Sequence, residues 1–157
     1  MRIYLILAIL LASACSPPSA LTREHDDWTG FTQVITAEYE ILRDTTTVMT
    51  ARGIMIARDG KQGFAVLTNL RRLVPNGPII QSIHSGDTRL RYRRHDRPLT
   101  HCNDRCRRAE TGAIYMTKAG FEVASRTGLT LRIQGRRGRY TATVPAGLFA
   151  AVLKGIQ

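Results

Sequence analysis

Between His95 and Cys106 the chain gathers residue types that hold metals or make disulfides: His95-Asp96, His101-Cys102, Asp104 and Cys106. Imidazole, thiolate and carboxylate groups are the ligands of zinc. The spacing fits zinc poorly, because three residues separate the cysteines where a zinc knuckle has two. A Cys-x-x-Cys redox motif is missing. The same two cysteines can close a five-residue disulfide loop, worth only about 2 kcal/mol by chain entropy, or stand as free thiols. No Gly-x-Ser-x-Gly elbow, His-Glu-x-x-His pair or phosphate-cradling glycine loop occurs. No catalytic residue, metal site or cofactor is therefore expected.

A second chemistry runs through the same stretch. Arg89, Arg91, Arg93, Arg94, Arg97, Arg105, Arg107 and Arg108 crowd around Tyr92, with Asp87, Asp96, Asp104 and Glu110 as partial counter-charges. Another group, Arg132, Arg136, Arg137 and Arg139, falls at a hairpin tip. Guanidinium forks grip carboxylate and phosphate bidentately. Arg89, Arg91, Arg93, Arg94, Arg132, Arg136, Arg137 and Arg139 are thus candidates for an anion-binding surface, convincing if the two groups fold side by side. The bland alternative is a set of solvated strand faces in a chain whose coding bias favours arginine: it has 20 Arg and 3 Lys. Net charge is +11, enough to draw acidic partners.

The chain opens Met1-Arg2, continues with an apolar run over residues 3–12 and reaches Leu11-Ala12-Ser13-Ala14-Cys15. A positive residue, an apolar core and small residues make an export signal. The apolar stretch is too short to span a bilayer, which takes about 20 residues. The residues before Cys15 resemble the lipobox of bacterial lipoproteins. That resemblance implies cleavage after Ala14 and acylation of Cys15, and an anchor of more than one acyl chain is stable. Ser16 after the cysteine implies sorting to the outer membrane, facing the periplasm. The alternative is an ordinary signal peptide cut after Ala12-Ser13-Ala14. With Cys15 lipidated in an exported chain, Cys102 and Cys106 remain as a pair in an oxidising compartment, where a disulfide is the default. At that address the acidic partners are envelope components, and nucleic acid is not an expected one.

The elements that must position these residues read as one domain. Residues 1–14 are the signal, 15–27 the lipidated cysteine and a flexible tether, and 28–157 the globular part, with Trp28 as a core plug at its entry. From Phe31 to Arg72 the pattern is mostly β, with Tyr39 to Arg43 open between strand and helix. The polar stretch from Asp59-Gly60 to Gly63 signals a hairpin. Pro75-Asn76-Gly77-Pro78 and Gly86-Asp87 are turns; residues 79–83 read as a strand. Leu90 and Tyr92 alternate with arginines. Gly112 to Met116 is a short strand, and Thr117 caps a helix over Lys118 to Thr127, with Ala119, Val123 and Phe121 inward and Gly128 ending it. Leu129, Leu131 and Ile133, then Tyr140, Ala142 and Val144, alternate on two strands around Gly135-Arg136-Arg137-Gly138. Pro145 opens a last helix with Leu148, Phe149, Val152 and Leu153 as its apolar face. The expected fold is α+β: an antiparallel β-sheet of about six to eight strands with two short helices in the C-terminal third.

The body resembles small Gram-negative envelope proteins without an assigned activity, on Pro75-Asn76-Gly77-Pro78, Thr100-His101-Cys102, Glu110-Thr111-Gly112-Ala113-Ile114, Gly135-Arg136-Arg137-Gly138-Arg139-Tyr140 and Val144-Pro145-Ala146. The last third resembles the invasion-associated locus B family in its Cys102/Cys106 pair and Phe149-Ala150-Ala151 helix, and departs from it in the arginine-rich turn. The expectation is a non-enzymatic, membrane-anchored periplasmic lipoprotein that contacts an acidic envelope component or a protein partner. The alternative is a metal-binding or hydrolytic protein using His95, His101 and neighbouring acids.

Overall fold

The computed structural model describes residues 20–72, 80–95, 108–136 and 138–157. The strands are β1 (Leu21–Asp26), β2 (Phe31–Thr36), β3 (Tyr39–Arg43), β4 (Thr47–Arg58), β5 (Lys61–Arg72), β6 (Ile80–Ser85), β7 (Thr88–Arg89), β8 (Arg91–Arg94), β9 (Arg108–Met116), β10 (Leu129–Gly135) and β11 (Gly138–Val144). The helices are α1 (Lys118–Thr127) and α2 (Ala146–Gly155). The fold is α+β and antiparallel, as expected. Seven strands form one sheet, ordered β1-β2-β4-β5-β9-β8 with β3 beside β4, and a second sheet of four runs β11-β10-β6-β7.

The hairpin of β4 and β5 organises the larger sheet. Asp59 and Gly60 both take positive φ, 51° and 72°, the geometry of a two-residue turn that matches strand twist. The turn is tighter than the polar stretch suggested: Lys61, Gln62 and Gly63 already belong to β5, and the ladder runs from Arg58↔Lys61 to Thr47↔Arg72. β4 meets two partners along its other edge, β2 at Ile54 to Ala57 and β3 at Val48 to Ala51. At the handover the Thr36 hydroxyl accepts from the Gly53 N–H at 2.9 Å. Ala37 and Glu38 bridge the gap, which leaves Glu38 beside the middle of β4.

β6, β7 and β8 carry the chain from one sheet to the other. β7 pairs β6, β8 pairs β9, and between them the Leu90 N–H donates to the Ile83 carbonyl at 2.8 Å. Glu110, on β9, is buried and its carboxylate accepts from the Ile80 N–H at 3.0 and 3.1 Å. That contact ties the start of β6 to the larger sheet.

Val34, Met49, Val66 and Ile114 from the larger sheet, Ile83, Leu131, Ile133 and Val144 from the smaller, and Phe121, Phe149 and Val152 from the helices share one core. The Phe121 ring lies 5.3 Å from Phe64 and 4.8 Å from Phe149. Gly53 lets α2 seat against β4: a Cβ there would stand 2.6 Å from Leu148 Cδ2 and 2.9 Å from Val152 Cγ2. The Tyr92 ring occupies the space that a Gly112 side chain would need. In α1 the Thr117 hydroxyl accepts from the Gly120 N–H at 3.1 Å, and Gly128, at φ 72°, ends the helix. The inward face differs from expectation. Phe121 and Ala124 are buried, whereas Ala119 is exposed and Val123 is 51% exposed. At 100° per residue, seating the Phe121 ring between Phe64 and Phe149 swings positions 119 and 123 to the far side.

Two expectations at the start of the domain are corrected. β1 lies inside the stretch read as a tether. It is exposed on both faces, so no apolar alternation announces it. Its six-pair ladder to β2 and the contact of Leu21 with α2 at Gly155 hold it. Trp28 is not a core plug: it is 95% exposed at the β1–β2 turn. The Asp26 carboxylate shapes that turn, accepting from the Trp28 N–H at 2.9 Å and the Thr29 hydroxyl at 2.7 Å.

Candidate functional site

The arginine run from Arg89 to Arg94 is divided by the crossing at Leu90. Arg89 lies across from His84, and His84 across from Arg132, so the three form a line on the outer face of the four-stranded sheet. Arg139 stands on the same face opposite Gln134. A shallow depression of about 310 Å³ is lined there by His84, Arg132, Gln134, Arg139 and Thr141. Arg132 is engaged: it donates to the Gly86 carbonyl and lies 3.3 Å from Asp87. Arg136 is exposed at the β10–β11 turn. Arg91 and Arg93 stand instead on the outer face of the seven-stranded sheet, and Arg94 is half-buried on its other side. The two sheets pack their inner faces into one core, so Arg91 and Arg93 are not continuous with Arg132 and Arg139.

Other sites foreseen from sequence fall outside the described residues. These are Cys15, the turn at Pro75 to Pro78, Arg97, Arg105, Arg107, Arg137 and the group Asp96, His101, Cys102, Asp104 and Cys106. His95, at the end of β8, is exposed, with Nε2 3.4 Å from the Tyr115 hydroxyl. Among the described residues no group of three or more His, Cys, Asp or Glu is placed to hold a metal ion.

The outer face of the seven-stranded sheet holds a site assembled from residues far apart in sequence. Thr50 on β4 lies opposite Asn69 on β5, and Asn69 opposite Thr111 on β9. His95 continues the line, its N–H donating to the Thr111 carbonyl at 2.9 Å. With strands about 4.8 Å apart this polar row is about 14 Å long. The next row reads Arg52, Leu67, Ala113 and Arg93, and Arg71 stands on the other side beside Asn69. Ile54, Ala65 and Ala113 form a small apolar patch farther along the face. There Arg91 sits 5.5 Å from the centre of the Tyr115 ring, a cation–π distance.

Glu38 reaches into this site from the break between β2 and β3. The Thr50 hydroxyl donates to its Oε1, and its carboxylate lies 3.6 Å from Arg52 and 3.9 Å from Arg71. The hydrogen bond from Thr50 does most to hold the Glu38 carboxyl below the ordinary glutamate range; partial burial opposes it, and Arg52 and Arg71 add to the lowering. The charged carboxylate holds both guanidiniums at the rim of an open depression of about 440 Å³. Asn69 Oδ1 is buried there without a hydrogen-bond partner among the described residues. α1 and α2 pack on the opposite face of the sheet. The arrangement offers guanidinium donors for anionic groups and hydroxyl, amide and carboxylate acceptors between them.

Glu38, Thr50, Arg52, Asn69, Arg71 and Thr111 were not singled out in the sequence. One signal was available: counting outward from the Asp59-Gly60 turn places Thr50 opposite Asn69 and Arg52 opposite Leu67. No protein-family model, no curated protein and no solved structure matches the chain.

Proposed function

We propose that the chain is a non-enzymatic binding protein of the bacterial envelope. It is anchored by an acylated Cys15 in the outer membrane, faces the periplasm, and grips an acidic envelope component through Arg52, Arg71, Arg91 and Arg93. The convergence of these four arginines from three strands onto one sheet face supports the reading most, since exposed guanidiniums arranged together around acceptors suit carboxylate or phosphate groups. The lipobox-like residues up to Cys15 support the address.

One experiment addresses both parts. Cells carrying the wild-type chain, Cys15→Ala, or the fourfold Arg→Gln variant at positions 52, 71, 91 and 93 are fed a labelled fatty acid, and the recovered proteins are bound to anionic envelope extracts at physiological salt. The wild type should be labelled and retained, Cys15→Ala unlabelled, and the fourfold variant labelled but largely lost from the extract. Labelling that persists in Cys15→Ala removes the anchor, and unchanged retention of the fourfold variant removes the arginine surface.

A further inference from the structure

We infer that the acidic component is a polysaccharide bearing carboxylates, and that it lies across the strands along Thr50, Asn69, Thr111 and His95. This rests on the proposed acidic partner and names its chemical class. The row crosses four strands, three of them internal, and presents side chains only. An extended peptide binds a sheet chiefly through main-chain hydrogen bonds at a free edge, which an internal row does not supply. A bilayer presents a broad plane of headgroups, which would meet the exposed arginines at the rim and would not follow the row along the floor of the depression.

A polysaccharide matches both features. Its hydroxyl and amide groups supply donors and acceptors at short, regular intervals, suited to Thr50, Thr111 and the Glu38 carboxylate. The Asn69 side chain lines the floor among them, and its amide both donates and accepts. Its acidic groups fall to Arg52 and Arg93 on one side of the row and Arg71 on the other. The open shape of the depression suits a chain that passes through it and continues beyond. Arg132 and Arg139, on the other sheet, take no part.

The test uses the full lipidated protein in neutral detergent. The probes are labelled polygalacturonate, polyglutamate of matched charge, neutral dextran and phosphatidylglycerol added to the micelles. Polygalacturonate should bind about tenfold more tightly than polyglutamate, and neither dextran nor phosphatidylglycerol should displace it. Asn69→Ala and the near-isosteric Thr111→Val should each weaken polygalacturonate about fivefold and leave polyglutamate unchanged; circular dichroism confirms the fold of each. Arg132→Gln with Arg139→Gln should change neither. Equal binding of both polymers with no effect of Asn69→Ala and Thr111→Val, or displacement by phosphatidylglycerol, overturns the polysaccharide and leaves an acidic partner standing. If no acidic probe binds, the polysaccharide and the acidic partner fall together.

Discussion

The two faces of the seven-stranded sheet are written by the same strands in different physics. Along β4, Met49, Ala51, Gly53 and Met55 point to the core, while Thr50, Arg52, Ile54 and Ile56 point away from it. The inner face is governed by shape: a glycine where α2 comes close, aromatic rings in contact, and close-packed apolar residues. The outer face is governed by charge and hydrogen bonding, with Glu38 between two arginines and a polar row beside them. Period-two alternation thus gives stability to one side and leaves the other for the proposed binding. Substitutions on the two sides should separate accordingly.

The largest effect is expected inside. Gly53→Val forces a branched side chain against Leu148 and Val152, and such overpacking should cost about 3 kcal/mol in chemical denaturation. Binding of acidic polymer per folded molecule should stay as in the wild type. A stability loss below measurement would mean that α2 does not seat on Gly53, and the steric half of the comparison would fail.

Glu38→Gln tests the boundary between the two roles. It should cost about 1 kcal/mol at neutral pH, the loss of a charge-assisted hydrogen bond and two loose ion pairs at a partly exposed site. Affinity for acidic polymer should rise, because the carboxylate that competes for Arg52 and Arg71 is gone. The lowered pKa of Glu38 fixes the sign with pH. A carboxyl lowered by folding contributes its stability fully above the unfolded value, about 4.3 for glutamate, and loses it as pH falls through the lower folded value. The stability gap between wild type and Glu38→Gln should therefore be constant down to that region and close below it, as read from denaturation midpoints at a series of pH values. A gap that persisted in strong acid would show that the substitution acts through packing.

The smallest stability effect belongs to Arg91→Gln. Its guanidinium is exposed above Tyr115, and the change should stay within about 0.5 kcal/mol while acidic-polymer binding falls severalfold. If Arg91→Gln proved as damaging to folding as Gly53→Val, the outer face would be structural after all.

The sequence made much of the fold legible because alternation and turn chemistry are local. The strands from Leu129 to Ile133 and from Tyr140 to Val144, the cap at Thr117 and the glycine end at Gly128 all announce themselves within a few residues. β1 escaped because it buries neither face; its evidence is a backbone ladder, which leaves no mark on residue type. α1 was found but rotated, since the choice between Phe121 and Val123 depends on Phe64 and Phe149, distant in the chain. The site was the least legible part. Arginine density drew the eye to residues 89–108, yet the crossing at Leu90 sends Arg89 to one sheet and Arg91 to the other. The residues that meet are Arg52, Asn69, Arg71, Thr111 and Arg93, joined by strand register, and Glu38, brought in by the break between β2 and β3; density reports neither.

β1 also sets a mooring length. Leu21 comes six residues after Cys15, and six extended residues reach about 20 Å, where a leash running to Asp27 would reach about twice that. On the proposed acyl anchor at Cys15, the β1 edge would ride close above the lipid, and the domain would be a fixture of the membrane surface, without the slack to range across the compartment. The proposed partner would then have to lie within that thin layer already, or arrive there by its own diffusion.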